Sequence, residues 1–305
     1  MGGLGISGND SMDGGDGDDV ASFDLSGATT GILVRNGPVI GLSGFGVIRD
    51  VERLSSFKLG SGDNRVELTQ AGFASVETRG GDDNISATGR ANVLSGYGND
   101  TITLGDGDDG VDPGLGADLV RLGGGNDRLD YTTTSSRADT NPDNVYGEAG
   151  NDAIYTPAGN DFLDGGSGND TLFAGAGADR VYGGEGNDSI EGEGGADYLR
   201  GGAGNDRIFT DYDYWTAATP SDNDFALGDD GNDFIQGGLG ADTLDGGPGD
   251  DTVSPAFRLA VPGFALDPLA DRINGGTGTD TLLISGLAGS GETHALNLRL
   301  AGTTH

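Results

Sequence analysis

Residues 165–173 read GGSGNDTLF, residues 183–191 read GGEGNDSIE and residues 201–209 read GGAGNDRIF. Between them lie AGAGADRVY at 174–182 and GEGGADYLR at 192–200. The shared unit is G-G-x-G-x-D-x-U-x, with U a large aliphatic residue. U recurs every nine residues at Ile102, Val111, Val120 and Leu129, and again from Val145 through Ile154, Leu163, Leu172, Val181, Ile190 and Leu199 to Ile208. It continues at Ala226, Ile235, Leu244 and Val253, and then at Ile273 and Leu282. An aspartate two residues earlier keeps the same register. Two more copies stand at 5–13 (GISGNDSMD) and 14–22 (GGDGDDVAS).

Each unit alternates a tight turn with a short strand. The x-U-x triplet is too short for a helix, and no 3.6-residue pattern is present. Strand alternation turns U inward and its two neighbours outward. Glycine in the turn permits positive φ and close backbone approach. With two nonapeptides per coil, residues 18 apart stack, placing Asp170 between Asp152 and Asp188. Stacked carboxylates repel unless a cation lies between them. Calcium takes six to eight oxygens from carboxylates and carbonyls, both of which such turns supply, whereas magnesium wants a tighter octahedron and keeps its waters. Zinc would want Cys or His. The chain has no cysteine, and its two histidines, His294 and His305, lie beyond the repeats.

The bulk composition agrees. The 305 residues include 62 glycines, 50 Asp+Glu and only 16 Lys+Arg, for a formal charge of −34. Hydrophobic residues make up 34 %. A chain this acidic and this poor in apolar residues stays disordered unless something offsets its charge. Nucleic acid is excluded as a partner, because its phosphates would be repelled. The amino terminus has no basic segment followed by an apolar run, so no signal peptide is expected. No window is apolar enough to predict a transmembrane segment.

Over roughly residues 95–283 the sequence resembles the RTX, or haemolysin-type calcium-binding, family. This is a match to a known motif and not a deduction from spacing. The resemblance implies an all-β fold, a right-handed parallel β-roll (β-solenoid) of stacked calcium-binding nonapeptides with short insertions. It also implies metal ligands. The aspartates are Asp100, Asp109, Asp118, Asp127, Asp152, Asp161, Asp170, Asp179, Asp188, Asp197, Asp206, Asp224, Asp233, Asp242, Asp251 and Asp280. The turn glycines are Gly147, Gly150, Gly159, Gly165, Gly166, Gly168, Gly175, Gly177, Gly183, Gly184, Gly186, Gly192, Gly194, Gly201, Gly231, Gly237 and Gly246. On the family's pattern one ion would join Gly184, Gly186 and Asp188 to Gly201, Ala203 and Asp206, with non-aspartate ligands acting through carbonyls. About nine ions, adding about 18 positive charges, would cancel about half of the negative charge. The resemblance also implies type I export from a bacterium and an extracellular or cell-surface location.

Five regions are expected: repeats at 1–22, a hairpin-like interruption at 23–58, degenerate calcium-poor repeats at 59–94, the main roll at 95–283, and a terminal strand or cap at 284–305. In the degenerate region Asn64 and Asn92 take the aspartate's place, whereas Asp83 retains it. Insertions fall near 131–144, 210–222 and 255–270, the second carrying Trp215 beside Tyr212 and Tyr214. The carboxy-terminal segment parallels the opening of the interruption, which suggests a piece of a longer protein; a natural carboxy-terminal secretion signal is the competing reading. No H-E-x-x-H, G-x-S-x-G or P-loop lysine motif occurs, and no catalytic chemistry is expected. The expected function is a calcium-dependent scaffold folding after export. The alternatives are a rigid adhesin or surface-layer segment that binds a surface glycan or partner, and an accessory module of a secreted enzyme joined to other domains of a larger chain.

Overall fold

A computed structural model describes residues 11–13, 20–24, 33–35, 39–42, 46–49, 53–68, 73–131, 139–211, 222–238, 240–255 and 271–283. Trp215, the segment 256–270 and the carboxy-terminal segment 284–305 lie outside these residues. The chain divides into two units, Met1–Ser167 and Gly168–His305. Each is a parallel β-roll, and no helix occurs among the described residues.

In the first unit the chain steps alternately between two parallel sheets. One sheet orders Arg53–Lys58, Ala74–Glu77, Ala91–Leu94, Gly110–Asp112, Arg128–Leu129 and Ala153–Tyr155. The other orders Arg65–Leu68, Asn84–Ala87, Thr101–Thr103, Leu119–Gly124, Asn144–Ala149 and Phe162–Ser167. Val20–Asp24 and Leu33–Arg35 extend these sheets at their starts. Within the interruption, Val39–Leu42 pairs antiparallel with Gly46–Arg49. The second unit repeats the plan, with Thr171–Phe173, Ser189–Glu191, Arg207–Phe209, Phe234–Gln236, Thr252–Ser254 and Thr281–Leu282 in one sheet. Arg180–Glu185, Tyr198–Ala203, Phe225–Asp230, Thr243–Asp245 and Arg272–Asn274 form the other.

The core is the column of inward aliphatics. Val120, Leu129, Val145 and Ile154 in the first unit, and Leu172, Val181, Ile190 and Leu199 in the second, have no exposed surface. Outward neighbours stack along the sheets, as do Tyr146 on Phe162 and Tyr182 on Tyr198. Arg121 lies over the Tyr146 ring.

The regular coil is 18 residues long, as in Ile102 opposite Val120. Beyond the interruption, where Val34 pairs with Val66, and the degenerate region that follows it, three coils are longer. Val120 pairs with Val145, and the aspartates beside them stand 25 apart; at Leu199 and Ala226 the step is 27, and at Leu244 and Ile273 it is 29. Each gain falls in the same kind of turn, the one leading from a short strand (Arg128–Leu129, Arg207–Phe209, Thr252–Ser254) into the other sheet. In the degenerate region the step varies between 19 and 17. There the register places Ala91, not Asn92, in line with Asp109, because Val93 pairs with Val111. Val93 is buried, whereas Asn92 and Leu94 are exposed. The run Asn-Val-Leu allows two frames by composition, and packing selects the one with Val93 inside.

Turn positions two and four take positive φ, as at Gly184 (114°), Gly186 (130°), Gly202 (115°) and Gly204 (138°). Position two also accepts Glu148, Glu193 and Asp229, at φ 72°, 69° and 68°. At position four the described turns of this form keep glycine, because a Cβ there would run into the carbonyl of the preceding coil. Gly204 faces the Gly186 carbonyl in this way. Gly194, at position three, has nothing within 4 Å of where its Cβ would stand. Gly204→Ala is therefore expected to destabilise the roll by at least about 2 kcal/mol, from the left-handed backbone and the clash together. Gly194→Ala should stay within about 0.5 kcal/mol. Equilibrium denaturation in calcium measures both, and equal stability of the two variants would contradict the packing.

Candidate metal centres

The aspartate that ends each turn is buried. From Asp83 to Asp251 these side chains are no more than 4 % exposed. Solvated turn residues would look quite different. Where the bond is described, the aspartate accepts on Oδ1 the backbone N–H of the residue at the same position one coil earlier, which is Asn64 for Asp83, Ala91 for Asp109 and an aspartate further along. In the first unit Asp100 N–H donates to Asp118 (2.7 Å), Asp118 to Asp143 (2.8 Å) and Asp143 to Asp161 (2.9 Å). A second ladder runs from Asp109 to Asp127 (2.7 Å) and from Asp127 to Asp152 (2.8 Å). In the second unit one ladder joins Asp179, Asp197, Asp224, Asp242 and Asp271. The other joins Asp170, Asp188, Asp206, Asp233, Asp251 and Asp280. Asp280, on the outermost described coil, is exposed but still accepts the Asp251 N–H.

Oδ1 is thus committed to the backbone. On Asp109, Asp118, Asp127, Asp188, Asp197, Asp206, Asp233 and Asp251, Oδ2 is buried without a hydrogen-bond partner. A buried charge left in that state costs several kcal/mol unless something answers it. Position-one glycines show what surrounds it. A Cβ on Gly183 would strike both Asp188 Oδ2 and the Gly201 carbonyl oxygen, and one on Gly201 would strike Asp206 Oδ2 and the Gly228 carbonyl oxygen. The same pairing recurs at Gly147 with Asp152 and Gly165, at Gly192 with Asp197 and Thr210, and at Gly246 with Asp251 and Gly275. Carboxylate and carbonyl oxygens therefore converge on spaces that only glycine leaves open. An all-oxygen, negatively charged donor set of this kind fits calcium and neither zinc nor copper.

The remaining predicted glycines sort by role. Gly166, Gly175 and Gly184 hold positive φ at position two, and Gly150, Gly159, Gly168, Gly177, Gly186 and Gly231 do so at position four. Gly237 stands against Asp242 Oδ2 at 3.1 Å from its would-be Cβ. Gly194 uses its carbonyl to accept the Gly177 N–H (2.6 Å). The turns before Asp109 and Asp127 lack the opening, because buried Leu104 and Leu122 occupy position one, and Leu122 lies in register between the pairs Arg121–Tyr146 and Gly123–Glu148. The ladder there keeps its carboxylates without the glycine cradle. In the degenerate region Asn64 takes the aspartate's place and donates both its backbone N–H and its side-chain amide (2.9 Å) to Asp83 Oδ1, while Asp83 Oδ2 stays buried without a hydrogen-bond partner.

Position five forms a ladder of its own. Turn residue five is often Asn or Asp. Asn187 accepts the Asn205 N–H (2.8 Å), Asn205 accepts the Asn232 N–H (2.8 Å), and Asn232 accepts the Asp250 N–H (2.7 Å). Gly228, Gly275 and Thr210 likewise offer carbonyls to the cradles although the repeat reading did not single them out.

Burial, with help from neighbouring carboxylates, pushes many of the ladder aspartates far above their ordinary 3.8. Asp118 rises to about 8, beside Asp143, Asp100 and Asp139, and Asp197 to about 9, beside Asp179, Asp224 and Asp211. Asp109, Asp143 and Asp233 reach about 7, and Asp127 and Asp206 about 6. At about 4 Å and an effective dielectric of about 20, two carboxylates repel by about 4 kcal/mol. The ion-free fold thus holds protons that the unfolded chain releases near 3.8. Its stability is greatest in acid and is lost as pH rises through the folded values. In chelator, β-sheet circular dichroism is expected to grow as pH falls from about 9 to about 6. Calcium affinity should weaken over the same interval, since ions and protons compete for the same oxygens. Stability in chelator that instead rises with pH would contradict this arrangement.

A sequence profile described as the RTX calcium-binding nonapeptide repeat matches residues 4–22, 77–111, 92–120, 114–131, 138–172, 173–208, 221–253 and 270–283, together more than half of the chain. No curated protein matches the chain. The profile covers the aspartate ladders from Asp83 to Asp280 and skips 209–220 and 254–269, where two of the lengthened turns fall. With its parallel rolls, its ladders of buried aspartate and its glycine-lined oxygen cradles, the chain belongs to the RTX calcium-binding nonapeptide repeat family.

Proposed function

We propose that this chain is a calcium-dependent structural module of a secreted bacterial protein, unfolded before export and folding on calcium outside the cell. The observation that carries the reading is the set of buried Oδ2 atoms without hydrogen-bond partners, which face carbonyl oxygens at glycine-lined turns. One buried aliphatic per nine residues is a thin core against the entropy of ordering the whole nonapeptide. The carboxylate ladders make the ion-free fold less stable still. Calcium reverses the sign of the ladder energy, so metal binding and folding become one event. Asp188, Asp206, Asp233 and Asp251, with the carbonyls of Gly201, Gly228, Gly246 and Gly275, are the groups that would hold ions in the second unit. An ion there supplies positive charge, and the chain supplies oxygens, close packing and a fixed register. The role is that of a scaffold without catalytic chemistry. Calcium titration of the full chain at neutral pH, followed by circular dichroism, tests this. A disordered chain in chelator that gains β structure with calcium is expected; a chain already folded in chelator at neutral pH would overturn the proposal.

A second reading, a surface segment that binds a glycan, is favoured by one feature. The Tyr198 and Phe225 rings stack 5.4 Å apart with planes 11° from parallel, and Phe225 is 37 % exposed. Aromatic faces of this kind suit sugar rings. Glycan binding that drops at least tenfold in Phe225→Ala, with calcium-dependent folding intact, would support it, and unchanged binding would remove it.

A further inference from the structure

The lengthened turn of the first unit carries a group that the repeat does not provide. Asp118, Asp139 and Asp143 are each 1 % exposed, and a carboxylate oxygen of each lies within 4.8 Å of the others. Asp118 and Asp143 belong to the ladder. Asp139 belongs to the lengthened segment, where the turn before Asp143 reads Ala138-Asp139-Thr140-Asn141-Pro142 and has no glycine. Asp139 Oδ1 is fixed by Thr140 N–H (2.9 Å), Asn141 N–H (3.2 Å) and the Asn141 side-chain amide (2.6 Å). Its Oδ2 is buried without a partner, and so is Asp118 Oδ2. Asp143 Oδ2 accepts the hydroxyl of Tyr131, itself buried. The local backbone has thus been used to aim one more carboxylate into a space that already holds two.

Buried carboxylates this close repel one another, and the hydroxyl of Tyr131 goes to Asp143. A cation explains the arrangement directly. Oxygens bound to one calcium at about 2.3–2.6 Å stand no more than about 5 Å apart, and these meet that limit. We propose that Asp118, Asp139 and Asp143 form a further calcium-class cation site, in which a side-chain carboxylate from the inserted segment replaces the carbonyls of the glycine turn. The inference rests on the calcium-roll reading and deepens it. Affinity at such sites rises with the number of charged ligands, so this site fills before the carbonyl-rich ones. Tyr131 then stands in the layer next to the ion, hydrogen-bonded to one of its ligands.

The test titrates the full chain with calcium by calorimetry and counts bound ions by atomic emission after desalting. Asp139→Asn keeps the Oδ1 acceptor and removes the charge. The variant is expected to bind one ion fewer and to lose the tightest step, while later steps and the calcium-induced β signal remain. An unchanged ion count and first step would overturn the site and leave the roll reading intact; a wild-type chain that binds no calcium would instead sink the roll reading. A second readout does not depend on that variant folding. With terbium as probe and excitation through tyrosine, the first bound equivalent is expected to emit, and Tyr131→Phe to lose most of that emission with the same terbium count. Equal emission from wild type and Tyr131→Phe would overturn the placement of the ion beside Asp143.

Discussion

A carboxylate that gives one oxygen to the backbone and turns the other into a buried space shapes every other choice in this chain. Oδ1 must reach the N–H of the neighbouring coil, so the coils must stack in strict register. Oδ2 must meet something positive, so the turn must bring carbonyls close without side chains in the way. Both demands fall on six consecutive residues, which leaves only three for the strand. The result is a fold in which one aliphatic per repeat is enough for packing but not for stability. The energetic centre of the molecule lies in its turns and not in its hydrophobic column.

This division of labour explains which substitutions the repeat accepts. Position four is closed to side chains by the backbone of the coil before it. Position two can hold an acid in the left-handed region, as Glu148, Glu193 and Asp229 show. Position one is open to exchange, but each exchange alters the space beside Oδ2. Leucine fills it at 104 and 122, and threonine at 210 still presents its carbonyl. The carboxylates stay buried in all of these variants, so their elevated proton affinity is a property of the ladder and not of any one turn.

Much of this was legible in the sequence because both signals are periodic. Aliphatic and aspartate positions nine residues apart fix the strands, the turns and the ladders, and the pauses in the period mark the lengthened coils. What escaped the period is what periodicity averages away. Asn92 looked like an aspartate substitute because the run Asn-Val-Leu fits two frames, and only the burial of Val93 separates them. The asparagines of position five carry no mark of their own in the repeat, because their bond to the next coil's N–H depends on stacking. Asp139 lies where the repeat is suspended, so no register pointed to it, and its partners are 21 residues upstream and four residues downstream.

The lengthened coils have a consequence of their own. All three gain their residues where a short strand hands over to the other sheet, and the opposite turns, those that follow the six-residue strands, keep a constant length. Because a coil's hydrogen bonds reach only its immediate neighbours, added residues on the permissive side leave the register beyond them untouched. Each roll therefore has a rim of constant turn length that carries structure and a variable rim that can carry novelty. New peptide could be spliced into the variable rim, by evolution or by design, with the next coil still beginning in its proper place.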